Sequence, residues 1–209
     1  MPHTLFHDTV MAIKRRGKNV SFSGHVGTAT PRLENTSKVS LKKGAYGKVL
    51  PFADVLKIAR AAKKSGLTVV STNGCFDILH IGHVRNLKTA KSYGDMLVVG
   101  VNSDSSVRRN KGNSRPIIPE RERAEVVASL KSVDAVFIFD ENTPDAWIKK
   151  LKPDVHAKGQ DRTAGQIVEK KMVEAGGGRL VLIPLIKGHS TTAIIARMRA
   201  LQARSPLSA

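Results

Sequence analysis

The sequence predicts an α/β protein: a Rossmann-like, doubly wound parallel sheet of five strands behind a basic N-terminal extension. Three observations predict it. From residue 54 onward, short continuous apolar runs alternate with stretches of helical period. Glycines and capping residues stand where one pattern gives way to the other. Polar residues that suit ligand binding collect just after the apolar runs, where the carboxyl ends of parallel strands would lie.

The elements follow in order. Residues 1–48 are rich in Gly, Ser, Thr, Asn and Lys, carry no sustained period beyond a short helical stretch near Thr9–Arg16, and read as a flexible extension. Residues 49–209 form the folded domain. Asp54–Lys64 is a helix, with Val55, Ile58, Ala59 and Ala62 on one face and Gly66 as its stop. Leu67–Thr72 is the first buried strand. His80–Tyr93 is a helix, with Ile81, Val84 and Leu87 spaced for one face and Gly94 behind it. Met96–Val101 is the second strand, Glu120–Leu130 a helix and Ala135–Phe139 the third strand. Pro144–Leu151 is a helix, Val155–Ala157 a short strand, Ala164–Ala175 a helix and Leu180–Ile183 the fifth strand. Thr191–Leu201 is the last helix. Gly176, Gly177 and Gly178 make a helix-to-strand turn rather than a phosphate loop, because no helix opens behind them.

Composition narrows the function. The chain of 209 residues carries a formal net charge of +18, which favours anionic partners such as nucleic acid or phosphorylated small molecules. The basic excess is densest in the first 48 residues, where Asp8 and Glu34 are the only acids. Aromatic residues make up only 4%, which argues against a base-stacking surface for single strands. The one cysteine, Cys75, excludes an intrachain disulfide and a cysteine-caged zinc site, and fits a reducing, cytoplasmic setting. No apolar run approaches the ~18 residues of a membrane span.

The segment Thr72–His83, TNGCFDILHIGH, joins the first strand to its helix. His80 and His83 stand three apart in the first helical turn and so point the same way. Free N–H groups at a helix start attract phosphate, and two imidazoles there can donate to phosphate oxygens as charge builds in a transition state. The pair lacks a third His, Cys or placed acid for zinc. Ser190, Thr191 and Thr192 open the last helix and read as an N-cap with spare hydroxyls aimed at further phosphates. Lys111, Arg115 and Arg123 are candidate phosphate cations. Asp77 ends the turn, where it can orient a substrate hydroxyl or a metal. Cys75 has no base beside it and reads as a small buried residue whose backbone serves the turn. Trp147 reads as packing, and His3, His7, His25 and His156 have no motif support. Neither GxxxxGK[ST] nor a GxGxxG after the first strand occurs, so this is not a P-loop enzyme or an ordinary dinucleotide binder.

The ordered set Gly74-Cys75-Phe76-Asp77, His80-Ile81-Gly82-His83, Asn102-Ser103-Asp104, Lys158-Gly159-Gln160-Asp161 and Ser190-Thr191-Thr192 resembles the cytidylyltransferase-like nucleotidyltransferase superfamily. TNGCFDILHIGH, VNSD and GHSTTAII are most similar to the adenylyltransferases of ADP-heptose synthesis, over roughly Lys48–Leu201. The resemblance implies transfer of AMP from ATP to D-glycero-β-D-manno-heptose 1-phosphate. It implies that His80, His83 and Lys111 are catalytic. Asn73, Gly74, Cys75, Phe76, Gly82, Arg123, Lys158, Gly159, Asp161, Ser190, Thr191 and Thr192 would hold the nucleotide. Asp77 and Arg115 would face the acceptor. It further implies Mg²⁺ arriving with ATP, a homodimer, and a sugar kinase on a separate protein. Lys187, where the relatives carry an acid, and Lys158-Gly159-Gln160-Asp161-Arg162, where they read closer to KGGDY, depart from the pattern near the nucleotide or acceptor.

Two rivals stand beside this reading. One keeps the chemistry with CTP and glycerol 3-phosphate, but Leu185-Ile186-Lys187-Gly188 does not match the Arg-Thr-Glu-Gly run of those enzymes. The other is a nucleic-acid-binding protein acting through the basic arm, with steep loss of binding in salt. A tRNA synthetase fragment is disfavoured because Lys170-Lys171-Met172 lies inside a helical pattern rather than in a KMSKS-like loop.

Overall fold

A computed structural model describes residues 47–160, 169–186 and 188–204. The extension, apart from Gly47 and Lys48, lies outside the described residues, as do the Thr9–Arg16 stretch, His3, His7, His25, Asp161, Arg162 and Lys187. Within the described residues the order is α1 (Phe52–Lys64), β1 (Val69–Gly74), α2 (Ile81–Lys91), β2 (Met96–Asn102), α3 (Asp104–Lys111), α4 (Glu120–Ala128), β3 (Ala135–Phe139), α5 (Asp145–Leu151), β4 (Val155–Gly159), α6 (Glu169–Ala175), β5 (Arg179–Ile183) and α7 (Thr191–Arg204). The strands form one parallel five-stranded sheet in the order β3-β2-β1-β4-β5. This is the doubly wound sheet the sequence predicts. No described helix is long and apolar enough to cross a membrane.

Both faces of the sheet are covered, which explains why its strands read as continuous apolar runs. Successive residues of β1 serve opposite faces. Val70, Leu97, Val99 and Val136 pack with Leu87 and Ala90 of α2 and with Ala124 and Val127 of α4. Val69, Val98, Ala135 and Phe137 pack with Val55 and Ala59 of α1, Trp147 and Ile148 of α5, and Val173 of α6. Trp147 stands edge-on to Phe137 at 5.2 Å between ring centroids, the packing role read from the sequence. Beneath it, His156 is fully buried, and its Nδ1 shares a 2.8 Å hydrogen bond with Ser71 Oγ. The β3 edge is sealed by the start of the domain. Val49 bridges Val136, Leu50 N–H donates to the Val136 carbonyl, and Lys48 Nζ donates to the Leu130 and Val133 carbonyls.

The structure adds one helix to those the sequence predicts. α3 fills the stretch between β2 and the Lys111 region, where only Ser106 and Val107 are buried. A helix with so little apolar surface leaves almost no periodic signal. Its termini did carry one. Ser103 caps it by accepting the Ser106 N–H at 3.0 Å, Asp104 opens it, Arg108, Arg109 and Lys111 close it, and Gly112 follows at φ +87°. Such a cap contributes about 1 kcal/mol. Smaller differences lie at boundaries: β1 runs to Gly74 and β4 to Gly159, so their last residues lie inside the sheet rather than beyond it.

Candidate active site

The chain order places the topological switch between β1 and β4, with β2 and β3 wound to one side and β5 to the other. The two strands barely pair. Their register is confined to Val70–Val155 and Ser71–His156, whereas β1 and β2 pair from Val69–Met96 to Gly74–Val101. Their carboxyl ends are bridged instead by side chains: Lys158 Nζ donates to Asn73 Oδ1 at 2.9 Å and pairs with Glu169 at 2.7 Å. Asn73, Gly74, Lys158 and Gly159 are half-buried around this crevice.

The turn after β1 delivers the histidines. Phe76 holds a left-handed backbone (φ +48°), a conformation uncommon for a bulky residue, and its ring lies over Gly74, where a Cβ would stand 3.1 Å from it. The same ring meets His83 edge-on at 5.2 Å between centroids. His80 is the N-cap of α2, with extended backbone and no side-chain cap bond. The cap that Ser or Asp would ordinarily provide is missing, so the first-turn N–H groups remain available to an anion. His80 and His83 stack with ring centroids 3.8 Å apart and planes 24° from parallel. The Nδ1 atom of each is buried and unpartnered among the described residues.

Electrostatics keep this pair neutral. Burial first, then the charges of His80 and Lys111, push the His83 pKa down to about 4. His80 is likewise held below the ordinary histidine value, by burial and then by His189. The pair is therefore built to receive negative charge: an arriving phosphate offsets the penalty that burial sets on protonation.

A second helix start meets the first. A Cβ on Gly82 would lie 2.9 Å from the His80 ring and 3.3 Å from the His189 carbonyl oxygen. Glycine at this position therefore makes room for protein: the His80 ring and the segment leading into α7. Thr191 Oγ1 donates to the Ile78 carbonyl at 3.4 Å, and Ser190 Oγ caps α7 by accepting the Ala193 N–H at 3.1 Å. Thr192 is exposed.

The remaining expected residues divide. Lys111 is exposed at the end of α3, and its charge is felt at His83. Arg123 is turned inward. Its Nε donates to the Ile118 carbonyl, Nη1 to the Cys75 carbonyl, and Nη2 to both the Asn102 carbonyl and Asp104 Oδ1. Cys75 is half-buried rather than fully buried, because it lies in the turn beyond the end of β1, and its carbonyl accepts from Arg123. The Asp77 carboxylate accepts from the Ile117 and Ile118 N–H groups at 2.8 and 3.0 Å and from Arg115 Nε. Its charge is spent inside the protein. Burial opposes ionisation there, but the Ile118, Arg115 and Ile117 donors outweigh it and hold the pKa below the usual value. Sequence reasoning found these charges but not their direction. A separate open cleft of about 580 Å³ lies beside α3 and α4, lined by Asp104, Arg108, Glu120, Arg121 and Glu122 among others, away from the histidine pair's own elements.

A stacked His-x-Gly-His pair at an uncapped helix start, on the switch point of a doubly wound parallel sheet, defines a nucleotidyltransferase domain. Residues 71–197 match the cytidylyltransferase-like family, and the chain belongs to it. It is 48% identical over 174 residues to the bifunctional protein HldE of Syntrophotalea carbinolica, covering 83% of this chain and 34% of that one. It is 53% identical over 141 residues to HldE of Geobacter metallireducens, covering 68% of this chain and 29% of that one. The chain thus spans about a third of the length of these relatives. Among solved structures, the lipopolysaccharide core biosynthesis protein of Thermoplasma volcanium matches with a TM-score of 0.50 at 31% identity, over 59% of this chain and 100% of that one.

Proposed function

We propose that the domain transfers AMP from ATP to a sugar 1-phosphate, D-glycero-β-D-manno-heptose 1-phosphate, with release of pyrophosphate. The observation that carries this is the stacked His80–His83 pair on the uncapped start of α2. The similarity to HldE chains, and to a protein of lipopolysaccharide core biosynthesis, points the acceptor toward a heptose phosphate.

The chemistry asks little covalent work of the protein. A sugar phosphate is already a nucleophile at neutral pH, so the site needs no general base. Rate then comes from alignment at the α-phosphate and from stabilising charge on departing pyrophosphate. His80 and His83 would donate to the phosphates, and Lys111, whose charge reaches His83, would add positive charge. The start of α7, with Thr191 and Thr192, suits the distal phosphates. Lys158 and Gly159, at the end of β4, suit the nucleoside side of the crevice. Among the described residues no three His, Cys, Asp or Glu side chains converge on a cation site. By resemblance to the family, Mg²⁺ would enter on ATP, held by the phosphates and neutralising their charge. A homodimer in the cytoplasm is our reading of the assembly and its setting, by resemblance to the family.

The test is pyrophosphate release with ATP or CTP across a panel of sugar 1-phosphates and glycerol 3-phosphate. Release confined to ATP with the heptose phosphate supports the proposal. Release with CTP and glycerol 3-phosphate replaces its substrates, and no release with any pair removes it.

A further inference from the structure

Arg123 is 1% exposed and Asp77 2%, and together they hold one short loop from both sides. Arg123 spends four of its five N–H donors on the turn after β1 (Cys75), the end of β2 and start of α3 (Asn102, Asp104), and the loop before α4 (Ile118). Asp77, in that same turn, takes the backbone N–H groups of Ile117 and Ile118 and the side chain of Arg115. Residues 115–118 are thereby fixed to residues 75–77, the turn that leads directly into His80. The other end of the loop is Lys111, whose charge acts on His83.

We propose that Asp77 and Arg123 are positioning residues: they latch the Lys111–Ile118 segment to the histidine turn, and neither touches nucleotide or acceptor. Both side chains are close to saturated by protein partners. A guanidinium with four donors on protein oxygens has one left for a phosphate. A carboxylate holding three donors, one of them the Arg115 guanidinium that balances its charge, has little to offer a sugar hydroxyl. Buried charges persist where they are paired and hydrogen-bonded, and removing one partner strands the others. The latch therefore makes the geometry of Lys111 relative to His83 depend on Asp77 and Arg123. The rate readout below rests on the nucleotidyl-transfer reading; the exchange readout does not.

The experiment compares the full chain with Asp77→Asn, Arg123→Lys and Lys111→Ala, each checked for folding by thermal unfolding. Amide hydrogen exchange over residues 112–118 is expected to speed up at least ~10-fold in Asp77→Asn. Turnover is expected to fall about 10- to 100-fold, with KM for ATP and acceptor within about 3-fold. In a Lys111→Ala background, Asp77→Asn is expected to cost less than about 3-fold, because the group it positions is gone. Unchanged exchange in this loop overturns the latch. So does an acceptor KM raised ~10-fold at constant turnover, which would mean direct contact. Should Arg123→Lys fail to fold, Asp77→Asn decides alone. A parent protein that transfers no nucleotide defeats the functional proposal, while exchange still decides the latch.

Discussion

The imidazole rings of His80 and His83 lie face to face, 3.8 Å between centroids, with both Nδ1 atoms buried and unpartnered among the described residues. Two positive rings at that separation would repel, and the pKa of His83 is already pushed down to about 4. The pair is thus neutral and primed for an anion. Oxyanion-type donors of this kind contribute at least ~100-fold to turnover. His83→Ala is expected to lose that much with thermal unfolding nearly unchanged. Turnover within a few-fold of the parent would remove the pair from the mechanism.

Gly82 separates rate from stability. Alanine there would place a Cβ 2.9 Å from the His80 ring and 3.3 Å from the His189 oxygen. The ring can swing aside, so the fold survives, and exchanging Gly for Ala in a helix contributes about 0.5–1 kcal/mol of stability elsewhere. Gly82→Ala should therefore keep its unfolding midpoint while turnover drops by ~10-fold or more, as misplaced donors do. A fully active Gly82→Ala enzyme would show that the His80 position is not critical.

Acid should weaken the domain through His156. Burial first, then Lys158, push its pKa from 6.5 to about 3. The folded value lies below the unfolded one, so the native protein excludes a proton that the unfolded chain accepts. Its contribution is whole above pH 6.5 and is lost as the pH falls toward about 3. His83 acts in the same direction down to about 4. Urea midpoints measured from about pH 7 to about pH 4.5 should fall less steeply in His156→Gln than in the parent. Equal slopes would contradict the assignment.

The extension should be dispensable for chemistry on small substrates. The domain's own edge seal begins at Lys48, whose ammonium holds the Leu130 and Val133 carbonyls. Deleting residues 1–45 leaves that seal in place. Turnover of the truncated protein should match the full chain; a folded but inactive product would assign the basic arm to the site or to an assembly contact.

Much of this was legible in the sequence because period and punctuation are local. The alternation of apolar runs with helical stretches placed β1 through β5, and the polar residues behind β1, β4 and β5 marked the crevice. What stayed hidden was non-local or unpatterned. α3 buries only Ser106 and Val107, so hydrophobic spacing could not announce it, although Ser103 and Gly112 mark its ends. Arg123 reads as a free cation among the alternating charges of Glu120–Glu125. Two of its four acceptors lie on Cys75 and Asn102, 48 and 21 residues away, and no local pattern tells a guanidinium which way to turn. Asp77 was hidden in the same way, since its donors come from residues 38 to 41 positions later.

The most direct measurement is to follow ATP labelled at the α-phosphate, incubated with Mg²⁺ and D-glycero-β-D-manno-heptose 1-phosphate, in the parent and in His83→Ala. The account predicts that label moves into a nucleotide sugar with one pyrophosphate released per transfer, and that His83→Ala slows this at least ~100-fold. Label retained in ATP, or transfer of equal speed in the variant, would contradict it.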